Sequence, residues 1–402
     1  MSLTPAARPF RIGLLTPAWP GTATANGIAS ATAHLAQGLE AIGHEVTILT
    51  GMIDGAHRHP RLVQLAPLPF SLTERLVGRF FPDRGLRGVN IRKLIMGAQQ
   101  AIRDHGIEVL LMEESYGWAG AVSAAVSIPV VATLHGPQWL HRVTPAPPRR
   151  GPEARRENWE RAGLQRVDAI ISPSRDVLDR TRLEWGLPEV PTTVIGNAVA
   201  LPSLDRPAAQ SAEPRLLFIG RFDRIKGADV LLDAFARVAA LRPEVRLTFA
   251  GPDVGIPQPD GSRLQLSQAL ARLPAAARDR IEVLGHRTRD EIAELRRHHP
   301  ITLIASRYET FGVALIEALA AGSAVVATRA GGCAEILRDG DTGLLVPSED
   351  AAAMAEACLR LLADPALALR LGRAARADVE ARFTPDVIAR EVASFLARVC
   401  RS

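Results

Sequence analysis

Short apolar runs alternating with helical patterns constrain this chain more than any other feature. In the first half they fall at residues 11–16, 45–50, 109–113, 129–135, 169–172 and 192–195, with helical periodicity between them, clearest at 28–42 and 91–104. The second half repeats the scheme at 215–221, 246–250, 281–285, 301–305, 324–328 and 344–346. Strands buried on both faces read as unbroken apolar runs, and joining them in parallel takes a helical crossover. The reading is therefore α/β, with two doubly wound, Rossmann-like domains. A chain of 402 residues exceeds one ordinary core and suits two domains of about 200 residues each. The stretch 197–214, rich in Pro, Ala and Ser and without periodicity, sets the boundary and gives domains at 1–198 and 199–384. Doubly wound domains bind ligands at the carboxyl ends of their strands, so two facing each other would enclose a cleft.

Several function classes drop out on composition. Cys333, Cys358 and Cys400 are odd in number and lack metal-ligand spacing, which points to a reducing compartment without disulfides. The first residues lack a basic start followed by an apolar run, so no secretory signal is expected. Residues 115–134 carry no charge and are long enough to span a bilayer. Pro129 and the scattered glycines and serines favour a small-residue helix followed by a buried strand. The first strand-to-helix turn lacks Gly-x-Gly-x-x-Gly, which disfavours a dehydrogenase.

Lys93 and Lys226 are the only lysines among 48 basic residues. Lys226 sits in Gly220-Arg221-Phe-Asp-Arg-Ile-Lys226-Gly227, a turn between a buried strand and a helix. Lysine is a compact charge on a flexible stem and arginine a planar fork, so the pair reads as a clamp for an anionic group. On these residues alone, chance placement is an equal reading. After the strand at 301–305 comes Glu309-Thr310-Phe311-Gly312, and then a helix carrying Glu317 about two turns in. Gly312 lets the backbone approach a ligand, and a helix start offers N–H groups to an anion. A carboxylate can accept from two vicinal hydroxyls at once, which suits a sugar.

Taken together, Gly220-Arg221-x4-Lys226-Gly227 and Glu309-x7-Glu317 resemble the retaining glycosyltransferases of family four, which have the GT-B fold. The likeness runs in order along nearly the whole chain. It includes the strand at 11–16 with Asn26-Gly27-Ile28, Gly43-His-Glu-Val46, the strand ending in His135-Gly136, Val194-Ile-Gly-Asn197, Gly331-Gly332 and Asp339-Gly-Asp-Thr-Gly343. The resemblance implies that the last helix, 385–402, completes the first, acceptor-side domain, and that residues 199–384 form the nucleotide-sugar domain. It implies donor binding by Gly27, Gly220, Arg221, Lys226, Glu309, Thr310, Phe311, Gly312 and Glu317. His135, Glu309, Arg221 and Lys226 would act in catalysis, and Asn26, Gly27 and His135 would lie on the acceptor side. Glu309 would bond the sugar hydroxyls, Glu317 the ribose, and His135 the sugar near the reacting centre. Arg221 and Lys226 would stabilise the departing diphosphate, so no metal and no cofactor is expected. Asp339-Gly-Asp341 reads as a glycine-flanked turn and not as a metal site. Two departures stand out: Asn197-Ala198 replaces the usual Asn-Gly, and Asn26-Gly27 replaces a glycine pair, with Thr22 and Thr24 nearby.

The expected activity is transfer of a hexose-type sugar from a UDP- or GDP-linked donor to a hydroxyl acceptor, in cell-envelope glycolipid or polysaccharide synthesis. The rival readings are a non-catalytic sugar-nucleotide-binding protein and a sugar-nucleotide epimerase of related fold. The first half carries most of the net charge of +5. Arg75, Arg79, Arg84, Arg87, Arg92 and Lys93 interleave with Leu76, Val77, Phe80 and Phe81, and Arg149, Arg150, Arg155 and Arg156 form a second cluster. This pattern suits an anionic membrane surface or a lipid-linked acceptor, and suits a solvated helix face as well. A cytoplasmic protein, peripheral on the inner face of the membrane, is the expected location. No nucleic-acid-binding module is recognisable.

Overall fold

The computed structural model describes residues 8–19, 27–53, 59–141, 151–203 and 214–401. The chain forms two compact units, Met1–Ala198 with Pro385–Ser402, and Val199–Thr384.

The first unit is built on seven strands: β1 (Arg11–Thr16), β2 (Glu45–Thr50), β3 (Leu62–Gln64), β4 (Val109–Glu113), β5 (Val130–Thr133), β6 (Ala169–Ser172) and β7 (Thr192–Val194). They pair in parallel in the order β3-β2-β1-β4-β5-β6-β7. All five residues of β4 are buried, as both-face coverage requires. The short edge strand β3 had no sequence signal, because its Leu-Val-Gln is only partly buried and lacks a sustained apolar run. Residues 115–134 resolve into a 3-10 turn (Ser115–Gly117), a short helix (Trp118–Ser123) and β5. Among the described residues no helix is long and apolar enough to cross a membrane. The helix Pro385–Val399 packs on helix Gly27–Ala41 at Gly38, where an added Cβ would lie 2.0 Å from the Pro385 carbonyl oxygen.

The second unit contributes β8 (Arg215–Ile219), β9 (Arg246–Ala250), β10 (Ile256–Pro257), β11 (Arg263–Leu264), β12 (Ile281–Gly285), β13 (Ile301–Ile304), β14 (Ala324–Thr328) and β15 (Leu344–Val346). Six of these form a parallel sheet in the order β12-β9-β8-β13-β14-β15. The core holds Phe218, Phe222, Phe235 and Phe249, and the rings of Phe218 and Phe249 lie 4.8 Å apart. The antiparallel pair β10-β11 was not expected. Two-residue strands carry no periodicity, so pattern reading cannot detect them.

In both sheets the chain starts in the middle, winds outward one way, then returns to the middle and winds outward the other way. This is the doubly wound arrangement. In the second unit the reversal falls between β8 and β13, whose connections leave in opposite directions and open a crevice at their carboxyl ends.

Candidate functional site

The turns after β8 and β13 flank that crevice, and both carry residues singled out by sequence. After β8, Asp223 organises the turn. One of its oxygens accepts from Arg221 Nε at 2.6 Å and the other from the Lys226 backbone N–H at 2.7 Å. A single carboxylate, itself buried, thus fixes the two basic residues of the expected clamp. Gly227 closes the turn at φ 62°, with the Ala305 carbonyl oxygen only 2.0 Å from where a Cβ would stand. Glycine is required there on both counts.

Arg307 ties the turn after β13 to the turn after β8. Its backbone N–H donates to the Ile225 carbonyl at 2.8 Å, and Nη1 donates to the Arg224 carbonyl at 2.8 Å. Its guanidinium also grips Asp229 through two bonds, at 2.8 and 2.9 Å, and Glu349 at 2.6 Å. With the two turns joined, Lys226 Nζ donates to Glu309 Oε1 at 2.5 Å, across 83 residues of sequence. The same oxygen accepts from Ser306 Oγ at 2.7 Å. Glu309 is 8% exposed. The loop at Gly331-Gly332 supports this turn from beneath, Gly332 N–H donating to the Glu309 carbonyl at 2.8 Å.

The remaining residues of the expected donor set differ in what they present. Gly220 leaves β8 with its N–H donating to the Ala250 carbonyl at 2.9 Å. Thr310 is half-buried. Phe311 turns its ring into the core, edge-on to Phe383 at 5.7 Å, so only its backbone is left to meet a ligand. Gly312 stands at φ 90° before helix Val313–Ala320, whose start no side chain caps. Glu317 pairs with Arg296 at 2.7 Å, a partner that sequence reading did not identify.

In the first unit, His135 follows β5 in a loop held by buried glutamates. Glu114 accepts the N–H of His135 at 2.9 Å with one oxygen and the N–H of Gly136 at 3.0 Å with the other. Glu160 accepts from the Gln138 N–H at 2.7 Å and pairs with Arg156 at 2.7 Å. Burial pushes the His135 imidazole down to about 4, so it is neutral at pH 7. Burial pushes the carboxyls of Glu113 up to about 7 and Glu114 up to about 8, the Glu160 charge adding to the second. Gly27 is exposed at the first position of helix Gly27–Ala41, and Asn26 lies outside the described residues. Asp339 accepts from the Leu345 N–H and Asp341 pairs with Arg338, so both carboxylates serve the turn.

The whole chain matches known proteins. The family described as "Glycosyltransferase Family 4" matches residues 25–201, and "Glycosyl transferases group 1" matches residues 204–378. A D-inositol 3-phosphate glycosyltransferase of Streptomyces bingchenggensis is 30% identical over 423 aligned positions, covering 98% of this chain and 90% of the relative. The chain is a group 1 glycosyltransferase. A glycogen synthase of Mycobacterium tuberculosis is 25% identical over 401 positions, covering 91% and 88% of the two chains. Among solved structures, sucrose-phosphate synthase from Thermosynechococcus elongatus superposes with a TM-score of 0.73 at 24% identity, covering 97% of this chain and 99% of its own. HepE of Anabaena, determined with UDP and glucose, superposes at 0.68 and 18% identity, covering 97% and 100%. These likenesses establish the GT-B fold.

Within this glycosyltransferase, the sequence motifs supplied the expected ligand-facing groups and missed the groups that hold them. Asp223 was inside a segment already quoted, and Ser306 and Arg307 lie just ahead of Glu309, but nothing local says which groups they bind. Glu114 and Glu160 were missed outright. The adjacent acids Glu113-Glu114 closing a wholly apolar strand were the available signal, since buried carboxylates need partners.

Proposed function

We propose that this glycosyltransferase moves a hexose-type sugar from a UDP- or GDP-linked donor to a hydroxyl acceptor with retention of configuration. The observation that carries this reading is the assembly of Arg221, Lys226 and Glu309 at the crevice of the second unit. Lysine has three donors, and with one on Glu309, two are left for phosphate oxygens. In the reaction the bond from the anomeric carbon to the diphosphate oxygen breaks, and its electron pair stays on the diphosphate. The acceptor oxygen bonds to the same face of that carbon, and its proton passes to the departing phosphate. Arg221 and Lys226 offset the charge that grows on the leaving group, so no metal ion is required. Glu309 accepts from the sugar hydroxyls and Glu317 from the ribose. His135, neutral at pH 7, keeps the role given by the resemblance, a hydrogen bond to the transferred sugar. The UDP complexes of HepE support a uridine donor.

Binding of UDP-, GDP- and ADP-sugars to the purified protein tests the donor site. Product analysis with and without acceptor separates a transferase from an epimerase. Binding without any turnover would favour the non-catalytic reading.

In this reading the acceptor belongs to cell-envelope glycolipid or polysaccharide synthesis and is met at a membrane surface facing the cytoplasm. Helix Leu72–Phe80 supports this. Its inner side is Gly78 against Gly85, with Glu74 paired to Arg92 at 2.7 Å. Its outer side presents Leu72, Leu76 and Phe80, which are 78%, 65% and 74% exposed. Arg75 and Arg79 lie alongside, and Arg84 stands over the Phe81 ring. An amphipathic helix mounted apolar side out and bordered by arginines suits anionic lipid. Not every basic residue contributes. Arg87 stacks on Trp159, while Arg155 and Arg156 are paired to Asp83 and Glu160. Arg149 and Arg150 lie outside the described residues. Flotation with phosphatidylglycerol vesicles should succeed and be lost in Leu76→Glu; equal flotation of both would sink the membrane reading.

A further inference from the structure

A cavity of about 60 Å³ in the first unit opens at the carboxyl ends of β1, β4, β5 and β6. Leu14, Ile28, Leu35, Ile171, Ile195 and Ile388 give it aliphatic walls. Its polar groups include Glu113 and His135. Among the described residues lining it there is no lysine or arginine. His135 is neutral at pH 7, so these side chains give an entering phosphate no counter-charge. An anion would also approach the Glu113 carboxyl, which is either neutral or negative and so adds no positive charge. An aliphatic group, in contrast, would exchange water for the walls.

We propose that this cavity receives the acceptor, and that the acceptor brings to it an uncharged, largely aliphatic portion and no phosphate. The hydroxyl-bearing end would then meet Glu113 and His135, which can accept or orient its proton. This inference rests on the transferase reading, in which the second unit holds the donor.

The test uses the full chain and a series of alkyl β-glucosides from butyl to octyl, each below its micelle concentration, beside glucose 6-phosphate. Titration calorimetry should show affinity rising about fourfold per methylene until the cavity is filled. Glucose 6-phosphate should not compete. Thr32→Phe, which narrows the cavity from helix Gly27–Ala41, should weaken octyl glucoside at least about tenfold. Leu35→Ala, which widens it, should move the best-binding chain to a longer one, a change that a merely loosened fold would not produce. UDP binding, measured in parallel, should not follow either substitution.

Affinity independent of chain length would overturn the proposal, as would tighter binding of glucose 6-phosphate. Octyl glucoside binding unchanged in both variants would place the ligand elsewhere, with the exposed helix Leu72–Phe80 the evident alternative. Chain-length-dependent binding without binding of any UDP-, GDP- or ADP-sugar would defeat the transferase reading, and the acceptor role with it, while leaving an aliphatic site.

Discussion

Replacing Lys226 by alanine should separate what this residue does for the fold from what it does for the donor. In the structure Nζ is 2.5 Å from Glu309, and the side chain is about a quarter exposed. Two unit charges 4 Å apart at an effective dielectric of 20 interact by about 4 kcal/mol, which is the ceiling for a lysine facing a phosphate oxygen. The net worth of a hydrogen bond to a charged group, after water is displaced, is about 1.5–3 kcal/mol. The UDP dissociation constant should therefore rise about 10- to 150-fold. Turnover should fall further, because charge on the leaving diphosphate grows toward the transition state. Stability has a different origin. Alanine leaves the buried Glu309 carboxylate without its counter-ion, costing about 1–2 kcal/mol, below the fully buried case because Lys226 is partly solvated.

The double variant Lys226→Ala/Glu309→Gln should accordingly regain most of the lost stability and none of the UDP affinity. Denaturant melts and UDP calorimetry on wild type, both singles and the double give the full cycle. UDP affinity within twofold of wild type in Lys226→Ala would refute the clamp. Loss of affinity that recovers together with stability would show that the lysine acts only through the fold.

Other substitutions probe the surrounding structure. Glu113 holds its proton up to about pH 7 when folded, against 4.5 as its ordinary value. Between those pH values the folded state binds a proton that the unfolded state has released, so this group's contribution to stability falls as pH rises. Glu113→Gln should thus gain on wild type in melts from pH 5 to pH 8; a flat difference would contradict the shift. Glu114→Gln replaces one of the two acceptors holding His135 and Gly136 with an amide N–H₂. It should cost about 1–3 kcal/mol of stability and lower kcat while UDP affinity stays put, whereas an unchanged kcat would detach this loop from the chemistry. Gly227→Ala meets a positive φ and a carbonyl oxygen at 2.0 Å, so a loss of more than about 3 kcal/mol is expected, read as a lowered melting midpoint.

How much of this could be read from the chain differs between elements. The strands β4, β9 and β14 were legible because both faces are covered, so nearly all of their positions are buried and most are apolar. Gly220, Arg221, Lys226, Glu309 and Gly312 were legible as a pattern because each lies in a strand-to-helix turn, where a side chain without a packing role stands out. The anchors were not. Asp223, Ser306, Arg307, Glu114 and Glu160 act by bonding to backbone or to groups distant in sequence, and neither periodicity nor spacing records such a partner. Helix Leu72–Phe80 shows the same limit in reverse. Its apolar stripe reads like any core-facing stripe, yet it faces outward because Gly78 and Glu74 occupy the side against helix Pro82–His105.

The sequence by itself therefore determined the alternation of strand and helix, the α/β class and the chemical character of the turns. These depend on local patterns of burial, and a residue's neighbours along the chain suffice to express them. Tertiary structure alone decided that β13 returns to the middle of its sheet to lie beside β8. That one pairing brings Lys226 to Glu309 and lets Arg307 join two turns far apart in the chain. Strand order is set by the packing of all the crossover helices at once, a sum over non-local contacts that no segment of the sequence carries.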